Sequence, residues 1–185
     1  ALDPALPIPV MIDTDAGADP DDALALALAC ASPEIELLGV TTVDGDVGLR
    51  ARIAARILGM AGRADVPVVP GLGRPLGPGR GPTMVGFEGR GLLDHNWSGA
   101  EARILDGPAP EWLVETSKRT PFHLVAIGPL TNVAAACRLD PAFAERLLGF
   151  TFMGGVYQDR ALPPAWQRAI RARGPAAWPD HNTAS

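Results

Sequence analysis

The most informative part of the chain is an apolar segment that leads into five aspartates and then into an Ala/Leu-rich segment: Val10-Met11-Ile12-Asp13-Thr14-Asp15-Ala16-Gly17-Ala18-Asp19-Pro20-Asp21-Asp22-Ala23-Leu24-Ala25-Leu26. Carboxylates crowded into one turn repel each other and raise each other's pKa unless a cation lies among them. Carboxylate oxygens without a nearby His or Cys favour hard cations such as Ca²⁺ or Mg²⁺ over zinc. This stretch therefore predicts a metal site, with Ca²⁺ as the first choice.

Aspartates in such a turn can also cap a helix, form an EF-hand loop or supply a nucleophile. Capping of the following helix would account for one or two of them, but not for Asp13 and Asp15, which precede the turn. An EF-hand needs Gly at the sixth loop position and Glu at the twelfth, and counting from Asp13 gives Ala18 and Leu24. A phosphatase with an aspartyl nucleophile stays open because of the Asp-x-Asp spacing, although Gly17 stands where that class has Thr or Val.

Composition describes a globular, acidic chain. It has 185 residues, 47% of them apolar, and a net charge of −5, which favours one domain with a real core and argues against a nucleic-acid surface. Ala1 to Pro9 lacks the pattern of a signal peptide, and the longest apolar run, 23–31, is too short for a membrane span. We therefore expect no membrane association and a cytoplasmic location. Cys30 and Cys137 are expected to be free, buried thiols.

Strand and helix patterns alternate along the chain. Strands are predicted at 8–12, 36–43, 66–69, 122–127 and 150–153, and helices at 21–31, 47–60, 111–119 and 130–138. Such alternation predicts one α/β domain over 1–185, built on an open, mostly parallel sheet with helices on both faces. The turns after the strands then meet at the carboxyl edge of the sheet, where α/β proteins bind ligands.

The helix at 47–60 is amphipathic. Its apolar side chains are expected to pack on the sheet, and its arginines to lie off that face: Leu49, Ile53 and Ile57 against Arg50, Arg52 and Arg56.

Two glycine-rich segments resemble nucleotide-binding loops only superficially. The segment 71–76 has Leu76 where a dinucleotide fingerprint needs a third Gly, and the segment 77–83 lacks the Lys of a P-loop. Both motifs are therefore rejected. The region 77–110 is rich in Gly and Pro and is predicted to be a mobile loop that covers a site.

The acidic stretch resembles the signature of the inosine-uridine-preferring nucleoside hydrolases, in which a strand is followed by Asp-x-Asp-x-Gly and by two aspartates that open a helix. Asp19 and Pro20 match the two extra residues that some members carry. Three later segments agree in order, namely 41–47, 126–132 and 152–155. Members continue well beyond the position of Ser185, and that continuation supplies a further Ca²⁺ aspartate and often a His acid. The resemblance thus implies an incomplete nucleoside hydrolase domain.

This resemblance implies a Rossmann-like fold and hydrolysis of the N-glycosidic bond of ribonucleosides to ribose and free base, a reaction of purine and pyrimidine salvage. It implies that Asp15 and Asp22, with the backbone carbonyl of Thr131, bind Ca²⁺, and that Asp15 deprotonates a water bound to that ion. Asp21 would bind a ribose hydroxyl, and Asp13 would support the loop. The partner would be a small-molecule nucleoside, and family members are usually homo-oligomers.

Four further residues match positions that bind the substrate: Asp46, Met153, Asp180 and Asn182. The match is imperfect at three positions of these segments. Asp46 stands where the family commonly has Asn, Asp180 is one methylene shorter than the usual Glu, and His181 replaces an aromatic residue.

Two histidines precede His181. His123 is expected in a core or strand-edge role, and His95 could approach a substrate if its loop folds over the site. An aspartyl-phosphate phosphatase and a non-catalytic paralogue that binds metal and sugar are the alternative functions.

Overall fold

The computed structural model describes residues 7–77, 81, 83–154, 164, 167 and 168. Within these residues the elements, in chain order, are β1 (Ile8–Thr14), α1 (Asp21–Ala31), β2 (Ile35–Thr42), α2 (Val47–Met60), β3 (Val68–Pro70), α3 (Ala109–Arg119), β4 (His123–Ala126), α4 (Thr131–Leu139), a short 3₁₀ helix (Ala144–Arg146) and β5 (Gly149–Phe152). Each strand and helix predicted from the sequence is present, with ends displaced by at most two residues.

The five strands form one parallel sheet in the order β3-β2-β1-β4-β5. β1 is the central strand, and Asp13 near its end is in register with Thr41 of β2 and Ala126 of β4. The chain leaves β1 towards β2 on one side and later returns to β4 on the other. The carboxyl end of β1 is therefore a topological switch point, and open α/β sheets bind ligands at such points.

Helices cover both faces of the sheet, as the sequence predicts. Alternate residues of β1 point to opposite faces. Val10 and Ile12 pack with Leu26 of α1 and Leu58 of α2. Met11 belongs to a separate buried cluster on the other face, which includes residues of α3 and α4: Leu113, Val114 and Ala136. An open α/β sheet wrapped on both faces is therefore confirmed.

The prediction for the arginines of α2 is wrong at one position. Arg52 is exposed, but Arg50 is only 1% exposed. Burying a guanidinium is costly unless its donors are paired, and those of Arg50 contact backbone carbonyls and the carboxylate of Asp44. Arg50 can thus lie on the buried face of α2 because other segments of the chain accept hydrogen bonds from its guanidinium.

Cys30 and Cys137 are free thiols, as expected, and each is only partly buried. Burial raises the pKa of both thiols. Among the described residues, the helices are too short or too polar to span a bilayer.

Candidate metal and nucleoside site

The end of β1 carries a fully buried carboxylate, that of Asp13. Two neighbours donate hydrogen bonds to its Oδ1: the Thr41 hydroxyl of β2 at 2.5 Å and the Asn132 side-chain amide of α4 at 2.8 Å. The other oxygen, Oδ2, is buried and has no hydrogen-bond partner among the described residues. One half of this carboxylate is thus held by the protein and the other half is left unsatisfied.

Asn132 links three segments at this edge of the sheet. Besides Asp13, its amide nitrogen donates to the Thr42 carbonyl at 3.0 Å, and its amide oxygen accepts from the Leu72 backbone at 2.9 Å. A Cβ on Gly71 would overlap both the Asn132 amide and the Thr42 carbonyl. The turn after β3 can therefore come this close to Asn132 and Thr42 only if residue 71 is a glycine.

The turn after β4 is held to the same strand end. The backbone N–H groups of Ile127 and Gly128 donate to the Asp13 carbonyl at 2.8 and 3.3 Å. A Cβ on Gly128 would lie 3.0 Å from Oδ1 of Asp15. Thr131, the predicted carbonyl ligand, follows directly as the buried first residue of α4. The structure thus brings Thr131 and the predicted aspartates to one edge of the sheet.

We call residues 13–22 the acidic turn. Thr14 closes it, because its hydroxyl donates to Oδ1 of Asp22 and accepts a 3.1 Å hydrogen bond from the Ala16 backbone. Asp22 is buried in the first turn of α1, while Asp15 is half-buried and Asp21 is exposed. The turn therefore draws Asp22 back to the end of β1 and leaves Asp21 facing solvent, where a sugar hydroxyl could reach it.

Three carboxyl groups of the acidic turn have raised pKa values. Burial raises the pKa of Asp13 to about 7, against the opposing hydrogen bonds from Thr41 and Asn132. Burial also raises the pKa values of Asp15 and Asp22 to about 6 each. The charge of Asp15 adds to the shift of both other groups. Burial therefore disfavours the ionised forms of these carboxyl groups, and their mutual repulsion adds to the effect.

One cation does lie beside the acidic turn, and it contacts the backbone. Arg50 donates from Nη1 to the carbonyls of Asp15 and Ala16, from Nε to the carbonyl of Asp44, and from Nη2 to the carbonyl of Thr83. Its Nη2 also lies 3.6 Å from Oδ2 of Asp44. The charge of Arg50 partly offsets the effect of burial on the pKa of Asp15.

The remaining predicted residues are placed differently. Asp46 is the N-cap of α2, where its Oδ1 accepts a 2.9 Å hydrogen bond from the Leu49 backbone. Met153 follows β5 and is 48% exposed. Asp180 and Asn182 lie outside the described residues.

Two of the three histidines lie among the described residues. His123 begins β4 at the opposite end of that strand from the ligand edge, and its Nε2 lies 2.9 Å from the Thr151 hydroxyl. This agrees with the strand-edge role predicted for it. His95 is exposed in the long loop between β3 and α3. His181 lies outside the described residues.

The donors at this edge fit a hard divalent cation in part. Asp15, Asp22 and the Thr131 carbonyl would supply oxygen ligands, and the buried Oδ2 of Asp13, unpaired among the described residues, is a further acceptor at the end of the same strand. Ca²⁺ usually takes about six to eight oxygens, and in the described part of the chain no group of three or more His, Cys, Asp or Glu residues is arranged as a metal cluster. The oxygen donors present here therefore fit the chemistry of a hard cation and would form part of its ligand shell.

Sequence reasoning missed three contributors to this edge: Arg50, Asp44 and the structural role of Asn132. A signal existed for Arg50, because it lies three residues before Ile53 and seven before Ile57 and thus shares their helical face. Asn132 ends the segment 126–132 that carries part of the resemblance, but nothing in the sequence indicates its partners, which lie 60 to 119 residues away along the chain.

An apolar cavity of about 670 Å³ lies apart from the predicted ligands. It is formed by residues 17–20 of the acidic turn, by α1 and α2, and by the loop around Phe87 and Leu92. Neither Asp13, Asp15 nor Asp22 lines it. The cavity is therefore bordered by the acidic turn, although the three buried or half-buried aspartates of that turn do not line it.

Comparison with known proteins identifies the family. The sequence model described as inosine-uridine preferring nucleoside hydrolase matches residues 10–176. A probable uridine nucleosidase 2 from Arabidopsis thaliana is 36% identical over 132 residues, covering 68% of this chain and 41% of the relative. The inosine-uridine preferring nucleoside hydrolase of Leishmania major is 34% identical over 143 residues, covering 72% and 44%.

Solved structures agree. A plant nucleoside hydrolase has a TM-score of 0.68 at 33% identity, covering 81% of this chain and 48% of that one. An inosine-guanosine nucleoside hydrolase has a TM-score of 0.69 at 28% identity, covering 82% and 50%. This chain spans less than half the length of the curated relatives it matches. With its parallel sheet and acidic turn, the chain belongs to the inosine-uridine preferring nucleoside hydrolase family.

Proposed function

We propose that this protein hydrolyses the N-glycosidic bond of ribonucleosides, giving ribose and a free base, with Ca²⁺ held at the acidic turn. The observation that carries the proposal is the group of Asp13, Asp15 and Asp22, whose pKa values are raised and which includes a buried oxygen with no hydrogen-bond partner in the described part of the chain. It lies at the carboxyl end of the central strand in a member of this family. Relatives named as uridine nucleosidases and as an inosine-uridine preferring hydrolase support a nucleoside as substrate.

In this proposal Asp15 is both a ligand and the general base. A bound divalent ion would lower the pKa of a coordinated water and orient it. Asp15 would accept a proton from the attacking water, whose oxygen would bond to the anomeric carbon of the sugar while the bond to the base breaks and its electron pair leaves with the base. The sugar passes through an oxocarbenium-like state that nearby carboxylates stabilise. Asp22 and the Thr131 carbonyl complete the protein ligands that we assign.

Substrate contacts are assigned to residues around this edge. Asp21 is exposed at the start of α1 and is proposed to bind a ribose hydroxyl. One oxygen of Asp46 caps α2, so its other oxygen is the one available to a substrate. Met153, exposed after β5, is proposed to line the sugar pocket. The contacts of Asp180 and Asn182 with the sugar hydroxyls stay predictions from the resemblance, because both residues lie outside the described residues.

Burial argues against the phosphatase alternative. A nucleophilic aspartate must reach a phosphate group, whereas Asp13 is 0% exposed and its Oδ1 accepts two hydrogen bonds from the protein. Asp13 is better suited to support the acidic turn.

We also propose that the described fold is part of a single, incomplete nucleoside hydrolase domain. A cytoplasmic location and a homo-oligomeric state remain predictions from the sequence and the resemblance. Turnover of a nucleoside would distinguish the proposed enzyme from a non-catalytic protein that only binds metal and sugar.

The test is release of reducing sugar from uridine, inosine, cytidine and adenosine, with and without a chelator. We expect hydrolysis that the chelator abolishes and added Ca²⁺ restores. Asp15→Asn should be inactive, whereas the matched variant Asp19→Asn, an exposed residue of the same turn to which we assign no role, should retain activity. A rate that is insensitive to the chelator would contradict the metal role. Ion binding without turnover of any nucleoside would favour the non-catalytic alternative.

A further inference from the structure

We infer that Arg50 is a positioning residue that holds the acidic turn and the segment 83–88 in one fixed arrangement, and so sets the geometry of the metal ligands. This inference rests on the proposed function for the identity of the site. It assigns a role to a side chain that neither contacts the substrate nor binds the ion. Its basis is the set of hydrogen bonds that Arg50 makes.

Arg50 joins three separate segments through the rigid fork of its guanidinium. Nη1 donates to the carbonyls of Asp15 and Ala16 in the acidic turn, Nε to Asp44 at 2.6 Å after β2, and Nη2 to Thr83 at 3.0 Å. Arginine presents five donors in a plane, whereas lysine offers a compact point charge. Lysine at this position could keep the charge but could not reach the three segments together.

The contact with Asp15 has a specific consequence for the site. The hydrogen bond from Arg50 goes to the backbone carbonyl of Asp15 and not to its carboxylate. The positive charge is thus placed beside the turn while the carboxylate oxygens stay available for a metal ion. Fixing the carbonyls of Asp15 and Ala16 also fixes the direction in which the Asp15 side chain leaves the backbone.

The segment 83–88 has its own attachments to this arrangement. The Thr83 backbone donates to Oδ2 of Asp44 at 3.0 Å, and Glu88 accepts from the Val85 and Gly86 backbones at 2.5 and 2.9 Å. Glu88 is only 8% exposed. The segment is therefore a compact turn fastened at one end by Arg50 and Asp44.

This segment also lies directly against the acidic turn. A Cβ on Gly17 would come within 3.3 Å of both Cβ and Cγ of Glu88. Gly17 has a φ of 135°, which a residue with a side chain rarely adopts. A shift of the segment 83–88 would therefore displace Gly17, which lies two residues after Asp15. Arg50 donates hydrogen bonds to both the acidic turn and the segment 83–88.

The test compares Arg50→Met and Arg50→Lys with Arg52→Met, a control on an exposed position of the same helix. Ca²⁺ affinity is measured by calorimetry, and backbone hydrogen exchange is followed at 15–17 and 83–88. We expect Arg50→Met to weaken Ca²⁺ binding about 10- to 100-fold, the range seen when groups that orient metal ligands are removed. Exchange should speed up in both segments, Arg50→Lys should recover part of the affinity, and Arg52→Met should match the wild type.

A second variant guards against loss of folding in Arg50→Met. Asp44→Asn keeps an acceptor for the Thr83 backbone but removes the charge that faces Arg50. It should weaken Ca²⁺ binding by a smaller factor and speed exchange at 83–88. Unchanged Ca²⁺ affinity in both Arg50 variants, or exchange that rises uniformly over the chain, would overturn the inference.

Failure of the proposed function is a separate result. If the wild type binds Ca²⁺ but hydrolyses no nucleoside, the proposed activity fails and the affinities still decide the role of Arg50. If the wild type binds no ion, hydrogen exchange decides it: faster exchange confined to 15–17 and 83–88 supports the positioning role, and any other pattern contradicts it.

Discussion

Two neighbouring strands end in aspartates, and the protein treats them differently. After β2, Asp44 accepts a hydrogen bond from the Thr83 backbone and faces Arg50, and Asp46 caps α2. At the end of β1, Asp13 has a buried oxygen without a partner among the described residues, and the pKa values of Asp13 and Asp15 are raised. The same residue type is thus satisfied by the described residues at one strand end, whereas at the other it keeps an unpaired oxygen, where we propose that a cation binds.

The largest effect is expected at Asp15, where the proposal places the general base. Asp15→Asn should lower kcat by about 10²- to 10⁴-fold, the usual contribution of general acid-base catalysis. Steady-state kinetics on the best nucleoside at saturating Ca²⁺ measures the loss. Asp19→Asn is the control. A loss smaller than about ten-fold would remove Asp15 from the role of base.

Asn132 should dominate the stability of the β1 end. Asn132→Ala removes its hydrogen bonds to Asp13, the Thr42 carbonyl and the Leu72 backbone. Because unpaired buried polar groups cost about 1–3 kcal/mol each, we expect the free energy of unfolding to fall by about 3 kcal/mol in a urea titration. The exposed Asn96→Ala should change it little. A similar small change at Asn132 would show that this network does not hold the edge together.

The pH dependence of stability tests the charge imbalance at β1. A carboxyl group with a raised pKa in the folded state binds its proton more tightly there than in the unfolded chain. Its stabilising contribution is therefore complete below about pH 4 and is lost as pH rises through the folded-state pKa, about 7 for Asp13 and about 6 for Asp15. In chelator, Asp13→Asn should lose less stability than the wild type between about pH 5 and pH 8.

The stabilisation of the folded protein by added Ca²⁺ should also depend on pH. The ion should stabilise the wild type strongly at about pH 8, where the carboxylates are ionised, and weakly at about pH 5, where protons compete with the ion. Urea titrations at both pH values, with chelator and with Ca²⁺, measure this difference. Equal stabilisation at the two pH values would mean that the ion does not bind these carboxylates.

The smallest effect is expected at the β2 end. Asp46→Ala should lower the free energy of unfolding by about 1 kcal/mol, because α2 loses its N-cap. Asp46→Asn should keep that stability, since Asn caps helices equally well. Neither should alter Ca²⁺ affinity. If Asp46 also contacts the substrate, KM rises in the Asn variant without loss of stability, and an unchanged KM would contradict that contact.

Much of this architecture is accessible from the sequence. Alternating β-branched and alanine-rich segments predict each element, and parallel pairing places Asp13, Thr41 and Asn132 at one edge. The charge of Arg50 predicts an exposed position, but its helical phase puts it on the buried face of α2. An aspartate directly before a helix also signals an N-cap, so the capping role of Asp46 is open to prediction.

The remaining contacts depend on tertiary geometry. Asn132 gains its role only when residues 13, 42 and 72 meet in the folded chain. The hydrogen bond from Arg50 to Thr83 joins a helix to a loop 33 residues away along the chain. A single sequence carries no periodic signal for such pairs.

The central claim is that the acidic turn binds a divalent cation through Asp15 and Asp22. Calorimetric titration of Ca²⁺ into chelator-treated protein at about pH 7.5, where the bound ion competes with few protons, tests it most directly, with wild type beside Asp22→Asn. We predict one ion per chain in the wild type and affinity at least about ten-fold weaker in the variant. Absence of Ca²⁺ binding in the wild type, or equal affinity in both proteins, would contradict it.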